Sequence, residues 1–422
     1  MRRSNSRTSK LITLLAWLSL LSAFLVGHFA AKTNYIHLLS QHFPDSTFSK
    51  APNSDNGPRA FLRHHEELAE PELLLIAEGQ GFGGPLTLAV KTTEKGNDSY
   101  INEVILLSDR ETPPYVARLA KHNFYREFIS KDVRDNFILG DDIDGVSGAT
   151  ISSQGVTKAV QEAMHLSAME RLGLSSSWEE EKWQLELNDG LLLLLIAAIL
   201  YTTYANNKLS TKLRLLIPFA SLGFIGFYIN SSLSIGSLAG LVMGYIPSPK
   251  QQLTWWIMMG SVLGAVLLLG KNIYCGKLCP FSTVQMLLHK ISGFKFKISR
   301  GVTKYARRGI LFLVWASLML IFLSHHPAMG TYEPFSMMFS LEGMGMQWYV
   351  LPLSLFGALF IPDFWCRLFC PVGYSLNSLI RTRNQAITKF GDLTKAKPTA
   401  KAEPIEVQAA PQDNRTTRRN NG

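Results

Sequence analysis

Asp144-Gly145-Val146-Ser147-Gly148-Ala149-Thr150 runs directly into Ile151-Ser152-Ser153-Gln154-Gly155, and the change of character at Thr150 decides the reading of the first half of the chain. Gly148 and Ala149 carry almost no side chain, so a bulky anion can reach the backbone there. A helix is expected over Ser152–Leu172, because Val156, Ala159, Val160, Ala163 and Met164 recur on one helical face. Free N–H groups in front of a helix form an anion site; the same Ser/Thr pattern is equally that of an ordinary N-cap. Upstream, Pro85–Thr92 and Tyr100–Leu107 are apolar and β-branched, and the polar Thr93–Asp98 between them predicts a hairpin. Tyr115–Ile129 reads as a helix started by Pro113-Pro114. Residues 66–172 therefore read as an α+β domain. Residues 32–65, rich in Ser, Pro, Asn and Asp, read as a linker.

The remainder is apolar in blocks. Hydrophobic residues make up 47% of the 422, concentrated at Leu11–Ala30 and roughly at Leu191–Ala205, Leu213–Ile229, Leu253–Gly270, Ile310–Ser324 and Met346–Phe364. A spanning helix needs about 20 apolar residues, so several blocks must borrow from their flanks. Trp178 and Trp183 before the block at Leu191, with Tyr201 and Tyr204 at its end, fit an interfacial belt. The expected fold class is an α+β extracytoplasmic domain joined to an α-helical membrane bundle of about six transmembrane helices. Residues 1–31 read as a cytoplasmic N-terminus and an uncleaved anchor, because the apolar run exceeds a signal-peptide core. Residues 173–383 form the polytopic domain, and 384–422 read as a disordered basic cytoplasmic tail.

The formal net charge of +10 is distributed by topology. Arg2, Arg3, Arg7 and Lys10 precede the first block, and Lys208, Lys212 and Arg214 separate the second from the third. Lys271, Lys277, Lys290, Lys295, Lys297, Arg300, Lys304, Arg307 and Arg308 connect the fourth to the fifth with no acid among them. Arg367, Arg381, Arg383 and Lys389 follow the sixth. Lys250 is the only cation in the 231–252 connection and 325–345 has none, which is the positive-inside alternation. Both termini are expected in the cytoplasm of a bacterium and residues 32–188 in the periplasm, across the cytoplasmic (inner) membrane. The basic surplus meets anionic membrane lipid rather than nucleic acid. No catalytic triad, P-loop or histidine-metal protease motif is present, which argues against hydrolysis.

Cys275-x-x-x-Cys279-Pro280 and Cys366-x-x-x-Cys370-Pro371 use all four cysteines of the chain. If the local backbone is helical, each pair shares one face. Both pairs end spans that run inward, so their sulfurs gather at one depth where disulfides are disfavoured. Four thiolates suit one iron–sulfur cluster or a zinc ion; buried, unliganded Cys is the alternative. His325-His326-Pro327 is either a haem or copper ligand pair or a cap at the membrane surface.

The Asp144–Thr150 stretch, with the two Cys-x-x-x-Cys-Pro motifs, resembles the NosR/NirI-like membrane flavoprotein family; the first motif is also similar to a component of the Rnf and sodium-pumping quinone reductase complexes. The layout resembles most the RdhC/PceC proteins, or a NosR without its ferredoxin module. The resemblance implies FMN held covalently by a phosphoester to Thr150, attached by a separate flavin transferase. It further implies that Ser147, Gly148 and Ala149 form the close-contact loop and that Asp144 belongs to the recognition signature. Gly83 and Gly84, in a glycine-rich stretch, and Glu111 and Thr112, in an acidic Glu-Thr-Pro stretch, are expected near the flavin.

By the same resemblance, Cys275, Cys279, Cys366 and Cys370 are expected to hold an iron–sulfur cluster. The implied function is electron transfer between the quinone pool, or a cytoplasmic donor, and a periplasmic reductase or electron carrier. A redox-sensing regulator or maturation factor for a respiratory reductase, and a structural anchor subunit, are the alternatives. The hydrocarbon core, about 30 Å thick, calls for a further carrier between the two sites.

Overall fold

The computed structural model describes residues 4–394, apart from 32–33, 53–58, 67–69, 96–97, 175–182, 184, 251, 295, 297–298, 341–342 and 344. The expected tail at 395–422 and the belt residue Trp178 lie outside the described residues. Residues 384–394, expected to be disordered, instead complete a helix that begins at Pro371.

Helix α1 (Ser4–Ala30) and the short α2 (Tyr35–His42) lead into five strands. These are β1 (Thr47–Lys50), β2 (Ala60–His64), β3 (Glu72–Gln80), β4 (Pro85–Lys95) and β5 (Asp98–Asp109), all antiparallel and in sequence order. The expected hairpin is β4–β5. The expected linker is a correction: α2, β1 and β2 lie within it and belong to the sheet unit. In β3 the run Leu73–Ala77 is buried on both faces, as strand periodicity requires when both sides are covered. Leu73, Leu75 and Ala77 face one core, while Leu74 and Ile76 pack with Leu39 of α2 in the other. A bare sheet face would expose those residues, so α2 is the cover that the polar composition concealed.

Helix α3 (Pro113–Lys121) starts at its prolines and stops early, because Asn123 adopts a left-handed backbone (φ 53°) before a 3₁₀ turn over Phe124–Phe128. Helix α4 (Thr150–Arg171) packs Val156, Ala159, Val160, Ala163 and Met164 against the sheet, which is the face expected from their spacing.

The second half is helical: α5 (Leu187–Tyr204), α6 (Lys208–Ser221, continued by a π-turn over Leu222–Tyr228), α7 (Ile235–Met243) and α8 (Leu253–Gly264, continued as a π-turn to Leu269). There follow α9 (Pro280–Ser292), α10 (Arg300–Ser324), α11 (Phe335–Ser340), α12 (Gln347–Phe360), α13 (Phe364–Leu368) and α14 (Pro371–Thr394). Among the described residues, four helical segments are long and apolar enough to cross a membrane: Lys10–Ala30, Leu187–Tyr204, Lys208–Tyr228 and Gly301–Ser324. The apolar helices Leu253–Leu269 and Gln347–Phe360 are shorter. At 1.5 Å per residue they reach roughly 20–25 Å, less than the bilayer core. Leu11, Ile12 and Trp17 of α1, Leu215 and Leu216 of α6 and Phe312 of α10 stay exposed, which suits contact with acyl chains.

Candidate functional site

Thr150 is the first residue of α4 and is exposed on the wall of a cavity of about 280 Å³. Ala149 precedes it as N-cap, with its N–H donating to Val146 O (3.0 Å). Ser153 holds the loop in place: its Oγ accepts from Val146 N (3.2 Å) and its own N–H donates to Ala149 O (2.8 Å). Gly148 has φ +77°, and a Cβ there would overlap Nη1 of Arg118. The guanidinium thus lies against the loop and donates to Ser147 O (3.2 Å). A helix N-terminus with an adjacent Arg is a place for a phosphate.

Of the residues expected at the flavin, Ser147, Gly148, Ala149 and Thr150 line the cavity. Glu111 and Gly83 stand behind it. The Glu111 carboxylate is 0% exposed and is spent within the protein, accepting from Gly83 N (2.6 Å), Thr112 N (2.6 Å) and Ser152 Oγ (2.8 Å). It ties the glycine loop, the Glu-Thr-Pro stretch and the start of α4 together. Burial pushes this carboxyl up to about 7, against those hydrogen bonds. Gly84, Thr112 and the exposed Asp144 are likewise not among the lining residues.

The rest of the lining was not anticipated. Phe82 and Tyr115 come from the sheet unit, edge to face at 5.4 Å. The opposite wall is built from helix ends of the second half: Glu186, the N-cap of α5, with Asn188 and Asp189 in its first turn, Tyr228–Asn230 at the end of the turn that continues α6, and Gln252–Trp255 at the start of α8. Tyr115 Oη donates to Asn230 O (3.2 Å) and Arg118 Nη2 to Ser340 O (3.0 Å), so the two units dock around the cavity. Arg110 adds contacts to the Tyr245 hydroxyl and to Ala31 O (3.3 Å). A Phe between two glycines was the one sequence signal; nothing marked the helix ends.

The cysteines sit beyond the far ends of α8 and α12. The helical reading of the first pair is corrected: Cys275 is extended (φ −68°, ψ 117°) and Gly276 has φ +92°, so this motif is a loop that launches α9 at Pro280. Cys366 lies in α13, and Cys370 precedes α14. The motifs nevertheless converge. A Cβ on Gly373 would stand in ordinary contact with both Cys275 Sγ (3.4 Å) and Cys370 Sγ (3.5 Å), so the two motifs meet at this residue. Gly373 N–H donates to Cys370 Sγ (3.3 Å) and Gln285 Nε2 to Cys366 Sγ (3.4 Å). Burial pushes all four thiols up, and for Cys279, Cys366 and Cys370 neighbouring sulfurs push them further.

Among the described residues, no three His, Cys, Asp or Glu side chains converge on a point that one metal ion would occupy. A tetrahedral zinc needs its thiolates about 4 Å apart, given Zn–S bonds near 2.3 Å. A four-iron cube spaces its thiolates more widely. Amide donors on sulfur and two helix N-termini facing the site suit that guest. His325 caps α10 in a left-handed conformation and pairs with Tyr245 Oη (2.9 Å), and His326 Nδ1 accepts from Ala328 N (3.3 Å).

Cavity and thiols are joined through the interior. Asn230 lines the cavity; three residues on, Leu233 N–H donates to the hydroxyl of buried Tyr274 (2.8 Å), the residue before Cys275. Three residues of chain span at most about 11 Å.

The FMN-binding domain family matches residues 81–165, and the 4Fe-4S binding domain family matches 251–299 and 350–384. The first range contains Thr150 and the second both thiol pairs. Regulatory protein NosR of Pseudomonas aeruginosa is 25% identical over 215 residues, 47% of this chain and 30% of that protein. Protein NirI of Paracoccus denitrificans is 25% identical over 182 residues, 39% of this chain and 26% of its own length. A component of the proton-translocating ferredoxin:NAD(+) oxidoreductase complex of Clostridium ljungdahlii is 33% identical over 117 residues, 26% of this chain and 62% of that protein. The match spans under a third of the NosR and NirI proteins. No solved structure matches.

An FMN-binding domain and a 4Fe-4S binding domain on one chain with long apolar helices define a membrane redox flavoprotein. The chain is similar to the NosR/NirI-like FMN flavoproteins.

Proposed function

We propose that this chain carries electrons between FMN esterified to Thr150 on the periplasmic side and a 4Fe-4S cluster held by Cys275, Cys279, Cys366 and Cys370 near the cytoplasmic face of the bacterial inner membrane. The carrying observation is the pairing of the Thr150 cavity with a partly buried thiol quartet, linked through Leu233 and Tyr274. When bound, the flavin supplies one- and two-electron chemistry and the cluster one-electron chemistry. Thr150 offers the ester oxygen to the flavin transferase, Gly148 and Ala149 leave the backbone open to the phosphate, and Arg118 lends it positive charge. Amide donors at Cys370 and Cys366 stabilise electron density on sulfur. Quinol or a cytoplasmic donor is the proposed source and a periplasmic reductase or carrier the sink.

The proposed topology has six spans, residues 32–188 outside, and both termini inside. The basic connection from Lys271 to Arg308 supports it. The two shorter apolar helices then reach across with help from their flanks.

The test is purified wild type beside Thr150→Val, each made with a flavin transferase. Denaturation-resistant flavin fluorescence in the wild type alone, with iron in both, is the expected result. Fluorescence in the variant, or iron near zero in both, overturns the reading. The name of the NosR relatives favours a second reading as a redox-sensing regulator. In that case deletion leaves electron flow intact when the partner reductase is supplied from a constitutive promoter.

A further inference from the structure

The wall of the cavity opposite Thr150 lies outside residues 81–165, which the FMN-binding family matches, and it contains a polar group with an unmet need. Gln252 lines the cavity immediately before α8 and is 5% exposed, yet its Oε1 has no hydrogen-bond partner. A buried acceptor left unmet costs about 1–3 kcal/mol. The neighbouring Asp189 is differently placed. Its carboxylate accepts from Thr254 Oγ1 (2.5 Å) and Glu186 N (3.0 Å), so it braces α5 against α8 and holds the wall in shape.

We propose that the ring of the Thr150-linked flavin is seated in this cavity between the two units, and that Gln252, with Asn188 and Trp255 beside it, completes the site from the membrane half. The inference rests on the attachment proposed at Thr150. Its chemistry is complementary: the pyrimidine edge of an isoalloxazine presents an N–H between two carbonyls, and a carboxamide presents the matching acceptor and donor. Trp255, 4% exposed, offers an aromatic surface to the ring, as cofactor sites commonly do. The docking bonds from Tyr115 and Arg118 keep the two walls together. Seating the ring here also turns it toward Asn230 and the Leu233–Tyr274 link rather than toward solvent.

The experiment uses the full chain in detergent, loaded with FMN by the transferase, and compares wild type, Gln252→Leu, Gln252→Ala and Asn188→Ala. Flavin fluorescence after denaturing electrophoresis reports attachment; iodide quenching of the native protein reports exposure of the ring. Attachment is expected to be equal in all four. A pocket buries 70–90% of its ligand, so freeing the ring is expected to raise the quenching constant about threefold or more. Quenching unchanged in all three variants overturns the inference, as does a wild-type flavin quenched as readily as free FMN, a comparison that needs no variant. A wild type without denaturation-resistant fluorescence removes the Thr150 attachment itself, and this inference with it.

Discussion

At Gly148 two constraints coincide: a left-handed backbone and the guanidinium of Arg118 where a side chain would stand. Gly148→Val is therefore expected to destabilise the sheet unit by about 1–3 kcal/mol and to reduce FMN attachment, read from thermal melts and in-gel fluorescence. Gly145→Ala, whose Cβ would make only ordinary contact with Leu139, is the control. Glu111 yields a pH dependence with a definite sign. Its carboxyl is raised from 4.5 to about 7 in the fold, so the folded state holds the proton more tightly than the unfolded chain. The stability this contributes is complete below pH 4.5 and lost as pH rises through about 7, and Glu111→Gln removes the loss. Melting points of the wild type are expected to fall between about pH 5 and pH 8 relative to the variant; parallel curves contradict a protonated Glu111.

The proline-started helices α9 and α14 each present their first turn to sulfur, Cys279 being the N-cap of one and Cys370 immediately preceding the other. Gly373 in the first turn of α14 is the point where the two motifs touch. Gly373→Val, whose γ-methyls would reach past a Cβ already in contact with both sulfurs, is expected to push the Cys275 and Cys370 sulfurs apart and cut bound iron by half or more, while the flavin remains attached; iron and in-gel fluorescence measured on one sample decide it. Short elements also explain where reading along the chain went astray. β1 and β2 have only four and five residues, too few to show alternation against their polar neighbours. The stop after α3 comes from one left-handed Asn rather than from a Gly or Pro.

The whole molecule is a sheet unit seated on the helix ends that begin α5 and α8, with the sulfurs beyond the opposite end of α8. Under the proposed topology, a membrane-impermeant maleimide added to intact cells is expected to leave all four cysteines unmodified, whereas permeabilised, iron-depleted cells are labelled. Labelling from outside contradicts the orientation. Arg110→Ala, which removes contacts to Tyr245 and Ala31, is expected to raise hydrogen exchange across α3 without loss of attached FMN.

The amino-acid order alone carried the local chemistry: a side-chain-poor loop before a helix at Thr150, thiols in front of prolines, apolar blocks of spanning length, and the one-sided face of α4. These are readable because each depends on neighbours within a few residues. Folding alone brought Gln252, Asn188 and Asn230 to the far wall of the Thr150 cavity, spent Glu111 on internal hydrogen bonds, and tied Leu233, three residues from Asn230, to Tyr274 beside the thiols. Those pairings join residues far apart in the chain, and they follow from how two units bury their surfaces against each other, which no spacing along the chain encodes.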